Sequence, residues 1–172
     1  AAGLSVVVDP MYGAGAGVLS AALERLGCKV TEIHAGPCED FCGLHPEPCD
    51  PWADECEEVV SSTGADMGFL LDGDGDRAGV IDENGDILLP HELSPLILGH
   101  LVENRGEFGR VVVTLTCSAR IARQAERLGC PLTSVPVGFS RIYREIREGD
   151  VVLGCEEYGG LSFPSHLPER DG

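Results

Sequence analysis

The sequence predicts an α/β fold, arranged as two small three-layer α/β/α domains with mixed sheets, the second truncated at its C-terminus. Three observations carry this expectation. Short apolar runs recur at Leu4–Val8, Met67–Leu71, Val111–Leu115 and Val151–Gly154, the length of strands buried on both faces. Between them lie stretches with apolar residues at helical spacing, several closed by glycine. Asn84-Gly85 is a strong hairpin signal, which adds antiparallel strands to the parallel ones.

Leu4–Val8 reads as the first strand, and Gly13, Gly15 and Gly17 form the turn after it. Val18, Leu19, Ala22, Leu23 and Leu26 fall on one helical face, with Gly27 as the stop. Lys29–Ile33 is the next strand and completes a βαβ unit. A loop dense in Gly, Pro and Cys follows. Asp50 as N-cap and Pro51 at the first helical position predict a helix running to about Gly64. Met67–Leu71, Gly79–Ile81 and Ile87–Leu89 are strands. Leu93 to Val102 reads as a helix, with Pro95 tolerable only near its start.

Arg105-Gly106-Glu107 is the expected junction, giving domains 1–105 and 106–172. Beyond it, Val111–Leu115 is a strand and Ser118 caps a helix that stops at Gly129. Leu132–Val137 is a strand, and Phe139, Ile142, Tyr143 and Ile146 line a helical face. Val151–Gly154 leads into Glu156-Glu157-Tyr158-Gly159-Gly160. The sequence given ends where a further helix is expected. An apolar sheet face is then left uncovered, and self-association is the expected consequence.

The formal net charge of −17 argues against nucleic acid and anionic membrane as partners and favours a cation. No apolar run approaches the roughly 20 residues that span a bilayer. Ala1 to Ser5 leads straight into a strand without a basic-then-apolar leader, and a cytoplasmic location is expected. The eight cysteines include a cluster at Cys38, Cys42, Cys49 and Cys56. Their spacing matches no common zinc ladder, so a metal site there is the lesser reading and reduced thiols the main one.

The chemistry concentrates in Asp72-Gly73-Asp74-Gly75-Asp76-Arg77, directly after an apolar strand. Functional loops of α/β sheets lie at the carboxyl ends of strands. Three carboxylates this close repel one another unless a cation joins them, and the intervening glycines let the backbone curl until they converge. Hard oxygen donors suit Mg²⁺, Mn²⁺ or Ca²⁺. With Glu83 at position twelve the run also resembles an EF-hand loop. However, position six is Arg77 rather than Gly, and the flanks read as strands instead of helices. Arg77 either neutralises the carboxylates or holds a phosphate with its fork. A divalent cation beside an arginine points to phosphoryl transfer.

Asp72 through Arg77 resembles the metal loop of the phosphoglucomutase/phosphomannomutase family, the α-D-phosphohexomutases. Asp9-Pro10-Met11-Tyr12-Gly13-Ala14-Gly15 resembles the turn opening that family's second domain, and Phe41 through Pro46-Glu47-Pro48 its Pro-Glu-Pro loop. Val137-Gly138-Phe139 resembles the start of a third-domain helix. Glu156 through Gly160 resembles the sugar-binding Glu-Glu-Ser-Gly loop, and His166 to Gly172 the segment after it. The matches run through the chain in the family's order.

The resemblance implies a central fragment of a Mg²⁺-dependent enzyme that interconverts hexose 1-phosphates and 6-phosphates through a phosphoserine and a bisphosphorylated intermediate. It implies Asp72, Asp74 and Asp76 as Mg²⁺ ligands and Arg77 as the phosphoryl contact. Glu156, Tyr158, His166 and Arg170 are the implied substrate-binding residues, with hexose phosphate as ligand. Tyr158 stands where the family has Ser, Arg170 where it has Lys, and Gly160 where some relatives have His. Ser165-His166-Leu167-Pro168 resembles the phosphoserine motif but lacks its Asn and lies in the wrong domain. The catalytic serine is therefore expected outside this chain, and the fragment alone is expected to be inactive. The alternative is a non-enzymatic module binding a cation or a sugar phosphate.

Overall fold

The structure is a computed structural model that describes residues 2–36 and 38–170. It divides into two compact units between Leu88 and Leu89.

In the first unit, β1 (Ser5–Asp9), α1 (Val18–Arg25) and β2 (Lys29–Glu32) form the expected βαβ turn. Then come α2 (Asp54–Thr63), β3 (Met67–Leu71), β4 (Ala78–Ile81) and β5 (Ile87–Leu88). The sheet order is β2-β1-β3-β4-β5, parallel across β2, β1 and β3 and antiparallel beyond. Strand alternation on β1 explains the three layers. Val7 points into a core with Cys56, Val60, Leu70 and Ile81 on the α2 side. Val6 and Val8 point to the other face, against Leu19 and Leu23 of α1. Each fully buried valine contributes about 1.5–3 kcal/mol of transfer free energy.

The second unit holds α3 (Pro90–Gly99), β6 (Arg110–Thr114), α4 (Ala119–Leu128), β7 (Leu132–Val135), α5 (Phe139–Glu148), β8 (Val151–Cys155) and β9 (Leu161–Ser162). Its sheet order is β7-β6-β8-β9, with only β9 antiparallel. Val112 packs on Ile142 and Ile146 of α5, while Val111 and Val113 face Leu98, Ile121 and Leu153. The mixed sheets and three layers expected from the sequence are present in both units.

Several expectations need correction. The first concerns the domain junction, expected near Gly106. Leu98 and Leu101 are buried in the core with Val111 and Ile121, and Glu92 pairs with Arg120 at 2.6 Å. The helix before Gly106 therefore belongs to the second unit. That helix starts at Pro90 rather than Leu93, so Pro95 sits in its interior. The Ser94 hydroxyl donates to the Pro90 carbonyl at 2.7 Å beside this proline. The helix then continues as a wider turn through His100–Asn104, where the Arg105 N–H reaches the His100 carbonyl.

The helix expected from an Asp50 cap begins only at Asp54, with Ala53 as its cap residue. The Asp50–Pro51 peptide is cis, and Cys49 to Trp52 closes as a turn instead. Finally, Cys38 and Cys42 were expected as reduced thiols and are joined in a disulfide, with Cα atoms 5.5 Å apart. The turn it closes has Asp40, Phe41 and Cys42 in the left-handed region at φ 50–55°.

Candidate functional site

The Asp72–Arg77 run is the turn between β3 and β4, with Leu71 paired to Ala78 in antiparallel register. Strands on both sides exclude the EF-hand reading. The turn closes on itself through the Asp72 N–H to the Arg77 carbonyl at 3.2 Å and the Gly75 N–H to the Asp72 carbonyl at 3.1 Å. One ligand oxygen from each of Asp72, Asp74 and Asp76 lies within 4.8 Å of the others. Among the described residues the other such cluster is Asp50, Asp54 and Glu57, and neither contains cysteine or histidine.

Asp72 is buried, whereas Asp74 is exposed. Asp72 Oδ1 accepts the N–H groups of Asp76 and Arg77 at 2.9 and 3.1 Å, and Oδ2 accepts Arg77 Nε at 2.6 Å. Burial works against ionisation of Asp72, but the Arg77 side chain and backbone N–H groups outweigh it and hold the carboxyl below its ordinary value. Arg77 Nη1 also donates to Glu47 Oε1 at 2.9 Å. Burial opposes the charge on Arg77 as well, yet Asp72 and then Glu47 raise its pKa.

The loop is braced from two sides. Ala14 donates its N–H to the Gly73 carbonyl at 3.0 Å. A Cβ on Gly13 would lie 2.7 Å from that carbonyl oxygen and 2.9 Å from that of Asp72, so the backbones meet where only glycine fits. On the other side, a Cβ on Gly73 would come within 3.1 Å of the Phe41 ring and 3.2 Å of Pro46. The disulfide-closed turn and the Pro-Glu-Pro loop thus pack directly on the carboxylate loop. Beneath the 9–15 turn, buried Asp9 accepts the Met11 N–H at 2.7 Å and pairs with His34 at 2.9 Å.

In the second unit, Glu156 follows β8 and its N–H bonds the Gly160 carbonyl at 2.9 Å, closing a short loop. Glu156 Oε2 accepts Arg170 Nη1 at 3.2 Å, and the Arg170 guanidinium lies 5.6 Å from the centre of the Phe139 ring. The structure brings these two expected residues together. It also explains Gly160: a Cβ there would sit 2.7 Å from Arg170 Cδ and 3.1 Å from Glu156 Oε2, so the arginine stem occupies that space. Tyr158 is exposed at the loop tip. His166 is not part of this group and lines a separate cavity of about 500 Å³ with Leu96, Ile97 and His100.

Glu47 and Glu157 stand within motifs quoted from the sequence but were given no role there. Glu47 positions Arg77, and its flanking prolines were the available signal. Glu157 Oε2 accepts the buried Thr114 hydroxyl at 2.8 Å, which anchors the loop to β6 and leaves Glu156 for Arg170.

Comparison with known proteins identifies the family to which this fold belongs. Residues 1–85 match the family model for phosphoglucomutase/phosphomannomutase α/β/α domain II, and residues 90–172 that for domain III. The chain is 36% identical to a phosphoglucomutase/phosphomannomutase of Thermococcus kodakarensis over 97% of its length. It is 32% identical to a phosphoglucosamine mutase of Anaeromyxobacter dehalogenans over 99%. It spans 36% and 37% of those two relatives. A crystal structure of a phosphoglucomutase/phosphomannomutase family protein from Burkholderia thailandensis superposes with a TM-score of 0.90 at 26% identity, covering 98% of this chain and 37% of that one. With both of its units matched in order, the chain belongs to the phosphoglucomutase/phosphomannomutase family.

Proposed function

We propose that this chain supplies the cation loop and the sugar-contacting loop of an enzyme that interconverts hexose 1-phosphates and 6-phosphates. The observation that carries the reading is the convergence of Asp72, Asp74 and Asp76 on one turn at the carboxyl end of β3, with Arg77 beside them. An all-carboxylate donor set fits a hard cation, and Mg²⁺ is the proposed one. Bound there, Mg²⁺ would supply Lewis-acid withdrawal of charge from the transferring phosphoryl oxygens.

Arg77 is fixed by Asp72 and Glu47 and keeps its charge at any physiological pH, so it presents a preorganised donor to a phosphoryl group. Glu156 accepts sugar hydroxyls, with Arg170 orienting its carboxylate. Tyr158, at the loop tip, and His166 are proposed as further contacts to the hexose phosphate. The phosphoryl group comes from a phosphoserine on another part of the enzyme and passes through a bisphosphorylated sugar. These residues by themselves do not turn over substrate, and the location is cytoplasmic.

The test is a mutase assay of the whole enzyme with Asp74→Asn. Exposed Asp74 can be changed with little cost to folding, and activity is expected to fall at least about a hundredfold. Unchanged activity would overturn the assignment of the cation loop.

A further inference from the structure

The second unit holds a pair of cysteines that the phosphoryl chemistry does not use. Cys155 ends β8 and is fully buried, while Cys117 lies in the turn after β6, just ahead of the Ser118 cap of α4. Cys117 Sγ donates to the Cys155 carbonyl oxygen at 3.5 Å, which brings the two residues side by side. The Thr114 hydroxyl stands 3.4 Å from Cys117 Sγ. Both cysteines line a cavity of about 110 Å³ together with Thr116, Ser118, Glu156 and Glu157. That volume exceeds the roughly 10–15 Å³ of such space that one water needs, so the cavity has room for a peroxide.

We propose that Cys117 and Cys155 form a peroxide-oxidisable dithiol beneath the loop that carries Glu156. The Cys117 thiolate attacks one peroxide oxygen; the S–O bond forms, the O–O bond breaks, and the departing oxygen takes a proton and leaves as water. Cys117 is then a sulfenic acid. The Cys155 sulfur attacks Cys117, forming S–S and breaking S–O, and the hydroxide leaves as water with the Cys155 proton. The dithiol loses two electrons and the peroxide gains them.

The division of roles follows from the surroundings. The neighbouring Cys155, ahead of Thr114, brings the Cys117 thiol down to about 7 against the opposing effects of burial and the Glu157 carboxylate. A cysteine just ahead of a helix N-terminus is favoured as thiolate. Cys155 is shifted well upward by the adjacent Cys117 and by burial, which suits a resolving thiol rather than an attacking one. This chemistry is independent of the mutase reading, and its failure would leave that reading intact.

The test treats the intact chain with hydrogen peroxide at neutral pH, blocks remaining thiols and maps the peptides by mass spectrometry. The expected product is a Cys117–Cys155 linked peptide. Cys117 should be consumed at least about tenfold faster than Cys49, a thiol that is also partly exposed but is raised by burial. In Cys155→Ser, Cys117 should instead accumulate as a sulfenic acid trapped by dimedone. Oxidation of Cys117 no faster than Cys49, or wild-type chain without the linked peptide, would overturn the proposal.

Discussion

Arg77 donates Nε to Asp72 Oδ2 at 2.6 Å, so the carboxylate loop carries its own counter-charge on the same group that would ligate a metal. Glu47 holds the far side of the guanidinium at 2.9 Å. A bound cation and the arginine would therefore compete for Asp72. Arg77→Gln should tighten divalent-cation binding to this chain by about five- to tenfold, since a removed positive charge a few ångströms away is worth of order a kcal/mol after solvent screening. In the whole enzyme the same change should lower mutase activity by about 10²–10³-fold. Isothermal titration and a coupled mutase assay read the two effects, which run in opposite directions.

Gly13→Ala tests the brace on the other side. The added methyl meets two backbone carbonyls, of Gly73 and Asp72, and neither can swing away like a side chain. The hairpin must shift, and cation affinity should fall by roughly tenfold, about 1.4 kcal/mol.

Most strands were legible in the sequence because buried parallel strands are continuous apolar runs. Met67–Leu71 matches its expected span, and Ser118 and Gly129 bound α4 as their chemistry dictates. Less legible were features set by contacts distant in sequence. Leu93–Val102 looked like the end of the first domain, yet what decides its membership is Leu98 packing on Val111 and Ile121. The β9 strand is two residues long and has no pattern of its own. The Asp50-Pro51 cap signal was locally sound, but the chain turns there before α2 begins. At the candidate site, the three aspartates were legible from spacing alone. The partnership of Glu156 with Arg170 was not, because fourteen residues of chain separate them.

Leu98→Ala follows from that domain assignment. It empties a fully buried position and should destabilise the second unit by about 2–5 kcal/mol. Hydrogen exchange should show lost protection in β6 and β8, with β1 and β3 unaffected. Loss confined to the first unit would restore the later junction.

The thiols give a pH signature. Cys117 reacts as thiolate, so its alkylation by iodoacetamide should rise with pH around a midpoint of about 7 and fall tenfold per unit below it. Cys56, pushed up to about 12 by burial and the nearby Asp9 carboxylate, should stay unreactive in the folded chain throughout. Quantitative mass spectrometry of each site across pH 5–9 reads both.

The central claim is that the Asp72–Asp76 turn is a divalent-cation site, and Mg²⁺ titration of this chain beside two variants tests it most directly. One saturable ion per chain is predicted for the wild type, abolished in Asp74→Asn and retained in Asp54→Asn, which alters the other carboxylate cluster. Binding that survives Asp74→Asn, or disappears with Asp54→Asn, would contradict it.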